Sequence, residues 1–323
     1  GYDRPDDLPP GLTVNRYIRR YWQGGLELAT ILLETLAHTG DTAWWAASAR
    51  PLVLDILRFY HAYYTDRDAD GRVRFAPAQS LETWHDATNP TPELAGLAHV
   101  LDRLLALPDG QLSADERAFC RDYRAALPPV PVGREAADEP LRILPAETFD
   151  DLKNMENPEL YAVFPYPLGA LGGPLHAEGE AAYDARRQRT VGGWFQDAVH
   201  AAMLGRGEEA ADLLTAQLAP EAATPAQRAH SKFPRCEAIR FPGFHGPNCD
   251  WVPDQDHGGT GMLALQKMLL QHQHGELRIL PAWPARWDVH FRLHAPGAVV
   301  EVATEGGRVV QQTVTPATQP ATA

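Results

Sequence analysis

The stretch Leu26-Glu-Leu-Ala-Thr-Ile-Leu-Leu-Glu-Thr-Leu36-Ala-His-Thr39-Gly40-Asp41 sets the fold class. Leu26, Leu28, Ile31, Leu32, Leu33 and Leu36 recur at helical spacing, and the run from about Asn15 to His38 has no proline. Thr39-Gly40-Asp41 supplies a stop and a fresh cap. A second helix is expected from about Thr42 to Tyr64, kinked or restarted at Pro51. So short a joint predicts an antiparallel helical pair.

Working outward, the same spacing predicts helices at about Pro92–Leu105, Ser113–Ala126, Gln188–Leu204, Glu208–Leu218 and Gly258–His272. Pro128 to Pro145 is Pro-rich and reads as a long loop. Near Gly275 the period changes. Glu276–Leu280, Val289–Leu293, Val299–Ala303 and Val309–Val314 alternate and carry Val and Ile, which predicts a small antiparallel β-module over 276–314. Residues 315–323 are Thr, Pro, Ala and Gln, a tail with nothing to build a core from. Residues 1–275 are then the mainly helical portion. Helical hairpins around a centre would make a toroid, with a simple bundle as the competing architecture.

The chain has 323 residues, 29 Lys plus Arg against 42 Asp plus Glu, and a formal net charge of −13. That balance, without a basic cluster, argues against nucleic acid as a partner. No window reaches the roughly 18 apolar residues a membrane helix needs. Cys120, Cys236 and Cys249 make no disulfide framework; Cys236 and Cys249 either pair or remain thiols. The chain opens on Gly1 without a signal peptide, and a missing N-terminal part of the same polypeptide is expected.

Three stretches carry chemistry. The first is Pro77-Ala-Gln79-Ser-Leu-Glu82-Thr-Trp84-His85-Asp86, polar, aromatic and expected to be irregular. A carboxyl at Glu82 beside the Trp84 indole would be desolvated and its pKa raised, as a general acid requires. The alternative is a Glu bracing a loop. The second is Asn248-Cys-Asp250-Trp251-Val-Pro-Asp254-Gln-Asp256-His257-Gly258-Gly259-Thr260. Carboxylates beside an indole suit a sugar, whose ring lies on the apolar face while its hydroxyls meet the acids. Asp256 could instead merely cap the following helix. The third is Asn154-Met-Glu156-Asn157-Pro158-Glu159-Leu160-Tyr161, whose aromatic patch suits a core at least as well as a ligand.

Metal chemistry finds little support. Asp66-Arg-Asp68-Ala-Asp70-Gly71 begins like a calcium loop, but Pro77 stands where the bidentate Glu belongs, so a turn before an extended Arg72–Phe75 is the plainer reading. The 13 histidines show no zinc spacing, and His272 and His274 suit a helix end facing its dipole. No G-x-S-x-G, Walker or G-x-G-x-x-G context is present, and no cofactor is implied.

Taken in order, a set of motifs resembles glycoside hydrolase family 95, the α-L-fucosidase and α-L-galactosidase family of the six-hairpin glycosidase group. They are Trp22-Gln-Gly-Gly-Leu-Glu27-Leu, Thr39-Gly40-Asp41, Pro77-Ala-Gln-Ser-Leu-Glu82, Leu160-Tyr161-Ala-Val-Phe164-Pro165, Gly192-Gly193-Trp194 and Asp254-Gln-Asp-His-Gly258-Gly259-Thr260. Met268-Leu-Leu-Gln271 and Gly275-Glu-Leu-Arg-Ile-Leu-Pro281-Ala-Trp-Pro284 complete the set, which spans nearly the whole chain.

The resemblance implies an (α/α)6 toroid, a carbohydrate substrate and inverting hydrolysis, with Glu82 as general acid and Asp254 belonging to the base. It also implies export. The aromatic rings of Trp22, Trp84, Trp194 and Trp251 are the expected sugar platforms; Gln79, Glu156, Asn157, Glu159, Asp256 and His257 are the expected hydroxyl partners. Eight or nine helices are expected here where a complete toroid has twelve. Glu156-Asn-Pro-Glu159 replaces the family's His-rich segment, and Asp256-His257 replaces its Asn-Phe, which implies a different sugar or linkage. The rival classes are a non-catalytic sugar-binding protein and a polysaccharide lyase. A lyase would need Arg or Lys in its pocket to neutralise a uronate.

Overall fold

The computed structural model describes residues 15, 17–134, 136–219, 243 and 254–317. They form helices with small antiparallel sheets, as expected, in two compact units: 1–168 with 177–187, and 169–176 with 188–323.

In the first unit, helix α1 (Gly24–Thr39) ends where Gly40 adopts φ 66° and its N–H returns to the Leu36 carbonyl at 2.8 Å. It begins later than Asn15, because residues 17–20 form a turn. Asp41 caps the next turn, its Oδ1 accepting the Trp44 N–H. A π-helical turn, Trp45–Ala49, precedes helix α2 (Arg50–Tyr63), with Pro51 in its first turn. Proline has no N–H and its ring crowds the carbonyl four residues back, so a widened turn is the local answer to Pro51.

Strands β1 (Ala78–Ser80) and β2 (Trp84–Pro90) form where the sequence predicts an irregular stretch. Helix α3 (Thr91–Leu105) packs against α1 and against helix α4 (Ala114–Ala126). Its approach to α1 is close. A Cβ on Gly96 would lie 2.9 Å from Leu26 and 2.8 Å from the Tyr166 ring. Ser113 and Glu116 cap α4 reciprocally. The expected loop 128–145 contains a hairpin of β3 (Val132–Gly133) and β4 (Arg142–Ile143). Strand β5 (Ala146–Leu152) completes the sheet β1-β2-β5, and a 3₁₀ turn covers Pro158–Ala162. Helix α5 (His176–Ala185), unanticipated from the sequence, belongs to this unit from Ala177 onward.

The Asp66–Gly71 stretch is a turn. Asp68 Oδ1 accepts the N–H groups of Asp70 and Arg72 at 2.9 and 2.8 Å. The expected extended run Arg72–Phe75 reduces to one bridge, Arg67 to Val73.

In the second unit the helix expected at 188–204 is only α6 (Asp197–Met203). Gly192 and Gly193 have φ of 90° and 53°, which breaks the helical path before Asp197. Helix α7 (Gly207–Leu218) and helix α8 (Gln255–Leu269) pack on α6 and on each other. Strand β6 (Leu270–Gln273) takes over where the sequence extends the last helix to His272. It pairs with β7 (Glu276–Ile279), so His272 and His274 lie in a strand and its turn rather than at a helix end. Strands β8 (His290–Ala295), β9 (Ala298–Glu305) and β10 (Arg308–Pro316) form the three-stranded sheet β10-β9-β8. Its inner face, Phe291, Val300 and Val302, packs on Leu269 and Leu270.

Candidate active site

The site of the first unit starts from a tight turn. Leu81, buried, takes φ 49°, a left-handed conformation that a leucine rarely adopts. Gln79 anchors this turn. Its Nε2 donates to the Leu81 carbonyl at 2.8 Å and also to the Tyr17 carbonyl, and its Oε1 accepts the Arg20 N–H at 2.7 Å. Gln79 is therefore committed to backbone, and its place is under the turn rather than against a ligand.

The turn presents Glu82 and Thr83. Glu82, half-buried, accepts a hydrogen bond at Oε2 from Asn154 Nδ2 at 2.9 Å. The Glu82 N–H and the Thr83 hydroxyl both donate to Glu156 Oε2, at 2.8 and 2.9 Å. The Thr83 hydroxyl in turn accepts the Glu156 N–H at 2.9 Å. Two glutamates from distant parts of the chain thus share one turn. Burial, assisted by the negative charge of Glu82, pushes the Glu156 carboxyl up to about 7, against the hydrogen bonds from Thr83 and Glu82.

Beside this pair lies a cavity of about 240 Å³. Trp84 and Phe149 supply its aromatic wall, their rings edge-to-face at 4.8 Å. Glu156, Asn157 and Glu159 supply polar groups, and Arg142 and Arg187 supply charge. Burial pushes Glu159 up to about 7, although the Arg142 and Arg187 guanidiniums pull it down. Of the residues expected from the sequence, this cavity brings together Trp84, Glu156, Asn157 and Glu159.

Trp22 is elsewhere in the unit. Its half-buried ring packs on Phe59 and Tyr63 with centroids at 5.1 and 4.3 Å.

Sequence reasoning missed a half-buried polar group in the same unit, in which Glu156 and Glu27 both act electrostatically on Tyr21 and on Tyr161. Burial raises the Glu27 carboxyl against hydrogen bonds from Gln23 and Tyr161. Gln23 also donates to the Tyr166 hydroxyl at 2.7 Å. The signal available was the pairing of Glu27 with Tyr161 in the quoted motifs, but neither spacing nor burial links them in sequence.

In the second unit Asp254 is the N-cap of α8. Its Oδ1 accepts the N–H groups of Asp256 and His257 at 3.0 and 3.3 Å. The capping residue is therefore Asp254, where the sequence offered Asp256, which is exposed. His257 is fully buried and its Nδ1 accepts the Gly193 N–H at 3.0 Å. Gln217 fixes the same corner by donating to the His257 carbonyl at 2.7 Å and to Thr260 Oγ1 at 2.8 Å. Trp194, half-buried, stacks on Phe195 at 4.0 Å. Trp251, Cys236 and Cys249 lie outside the described residues.

Among the described residues no group of three or more His, Cys, Asp and Glu side chains could hold a metal ion, and no helix is long and apolar enough to cross a membrane. Compared with known proteins, the chain matches no family model and no curated protein.

Proposed function

We propose that this chain is the catalytic portion of an inverting exo-glycosidase resembling glycoside hydrolase family 95, built on part of an (α/α)6 toroid and acting on a glycan end. The observation that carries the reading is Glu156, which lines an aromatic, carboxyl-bearing cavity and accepts the Glu82 N–H; Glu82 itself stands behind it on the adjoining turn and is not among the lining residues. Burial, with the Glu82 charge adding to it, holds the Glu156 carboxyl up to about 7, so Glu156 keeps a proton to near neutral pH. A retained proton is what departure of a glycosidic oxygen requires. In this reading Glu82 delivers it, and Glu156 keeps the cluster protonated and takes a sugar hydroxyl. Trp84 offers its face to the ring. The family resemblance gives Asp254 the part of assisting the attacking water.

The test is hydrolysis of unactivated oligosaccharides by the wild-type protein and by Glu82→Gln, with product anomers read by NMR. Loss of turnover with binding kept, and inverted product in the wild type, is the expected result. Wild-type turnover in Glu82→Gln would remove the acid assignment. A second reading, a polysaccharide lyase, is favoured by Arg142 and Arg187 in the cavity lining. It would yield an unsaturated product that absorbs in the ultraviolet. A sugar-binding protein without hydrolysis would give binding and no product of either kind.

A further inference from the structure

The proposed mechanism leaves two positive charges unused. Arg142 on β4 and Arg187 just beyond α5 line the same cavity as Trp84 and Glu156. Both act on the buried Glu159 carboxyl, which places them around one point. Arg142 lies 3.5 Å from the Glu139 carboxylate and its side chain is 17% exposed. Arg187 is exposed and sits over the Trp84 ring, its Cζ 5.4 Å from the centroid. Among the described residues Arg187 has no hydrogen bond or ion pair; its interactions are this aromatic face and the field it exerts on Glu159.

Glu139 offsets part of the Arg142 charge, but the carboxyls that line the cavity do not cancel the charge of Arg187. Burial holds Glu156 and Glu159 up to about 7, so below that pH they are neutral and can donate hydrogen bonds, while a guanidinium stays charged. Nor does the protein as a whole attract anions, since its net charge is −13. A positive pocket in an acidic protein, next to an indole and an amide, fits a ligand that is both ring-shaped and negative. A guanidinium is the side chain best matched to a carboxylate or sulfate, through paired N–H donors.

We infer that the cavity selects sugars bearing an anionic substituent, a carboxylate or a sulfate, which Arg187 and Arg142 hold while the ring packs on Trp84. The inference deepens the glycosidase reading and rests on taking this cavity as the sugar site.

The full chain is titrated with D-galactose, D-galacturonate and galactose 6-sulfate, which differ only at carbon 6, by calorimetry and ligand-observed NMR. At least one anionic sugar binds about tenfold or more tightly than galactose, as a charge-assisted contact predicts. Which one binds better separates the carboxylate from the sulfate. Arg187→Gln, at an exposed position where folding is undisturbed, removes most of the preference. Arg142→Gln, checked for native circular dichroism, reduces it further. Equal affinity for the three sugars overturns the inference. So does a preference that survives both substitutions, and so does failure of both anionic sugars to bind at concentrations on the order of 10 mM. Failure here is separable from failure of the hydrolase reading. Hydrolysis of neutral glycosides without charge preference keeps the enzyme and discards the anionic subsite. Charge-selective binding without hydrolysis does the reverse.

Discussion

The two proposed catalytic carboxylates live in different physical settings. Glu82 stands on a strained turn beside Glu156, in a cluster where burial keeps a proton available near neutral pH. Asp254 caps a helix, with Oδ1 engaged by two backbone N–H groups. The first carboxyl accepts from a side-chain amide and neighbours a second carboxyl; the second accepts only from backbone N–H groups. The difference teaches that role assignment follows from what each carboxyl is bonded to, and it can be broken at either end.

The largest expected effect is at the acid. Glu82→Gln should lower turnover of unactivated glycosides by about 10²–10⁴-fold, the usual worth of positioned proton transfer. Glycosides with good leaving groups, such as p-nitrophenyl, should suffer much less because they need little protonation. Equal losses on both substrate types would place Glu82 outside proton donation.

Asp254 separates role from structure. Asn is as good an N-cap as Asp, so Asp254→Asn should keep the fold and lose turnover by about 10²-fold, with azide restoring a product of opposite anomer. Asp254→Ala should also lose about 1 kcal/mol of stability, read by chemical denaturation. If the Asn variant retains full unrescued activity, Asp254 is a cap and nothing more.

A third carboxyl extends the comparison into the core of the first unit. Glu93, on α3, is buried with Oε2 unpartnered, and burial pushes it up to about 8. Its folded pKa lies above the unfolded value, so the folded state binds the extra proton. Stability from this group is full below about pH 4.5 and falls as pH rises toward about 8. Glu93→Gln should therefore stabilise the protein more at pH 8 than at pH 5, by on the order of 3 kcal/mol. Equal effects at both pH values would mean that Glu93 is ionised or solvated in the folded state.

The smallest effect is spectroscopic. In Glu82→Gln the Glu156 titration, followed by carbon-13 NMR of the side-chain carboxyl, should move down from about 7, since one of the charges raising it is gone. An unmoved titration would decouple the two glutamates.

Local signals were legible in the sequence where one neighbour decides the structure. Gly40 ends α1, Ser113 and Glu116 open α4, and alternating Val and Ile mark β8 to β10. They failed where a distant partner decides. Leu270–Gln273 continues a helical pattern, yet pairing with Glu276–Ile279 across His274 and Gly275, both at positive φ, turns it into a strand. Gly192 and Gly193 cut a helix that the following residues favour. At the site, Trp84, Glu156, Asn157 and Glu159 were nameable from composition. The clamp on Glu156 comes from Glu82 and Thr83, 74 and 73 positions away, and no local pattern encodes it. Arg142 and Arg187 were invisible for the same reason, since each reads alone as an ordinary surface cation.

The central claim is that the Glu82–Glu156 cluster donates a proton to a departing glycosidic oxygen. Turnover of a panel of unactivated neutral and anionic oligosaccharides by the wild-type chain and by Glu82→Gln tests it most directly. The account predicts inverted sugar product from the wild type and a loss of at least about 10²-fold in the variant, with binding retained. Wild-type rates in Glu82→Gln, or no product from any member of the panel, would contradict it.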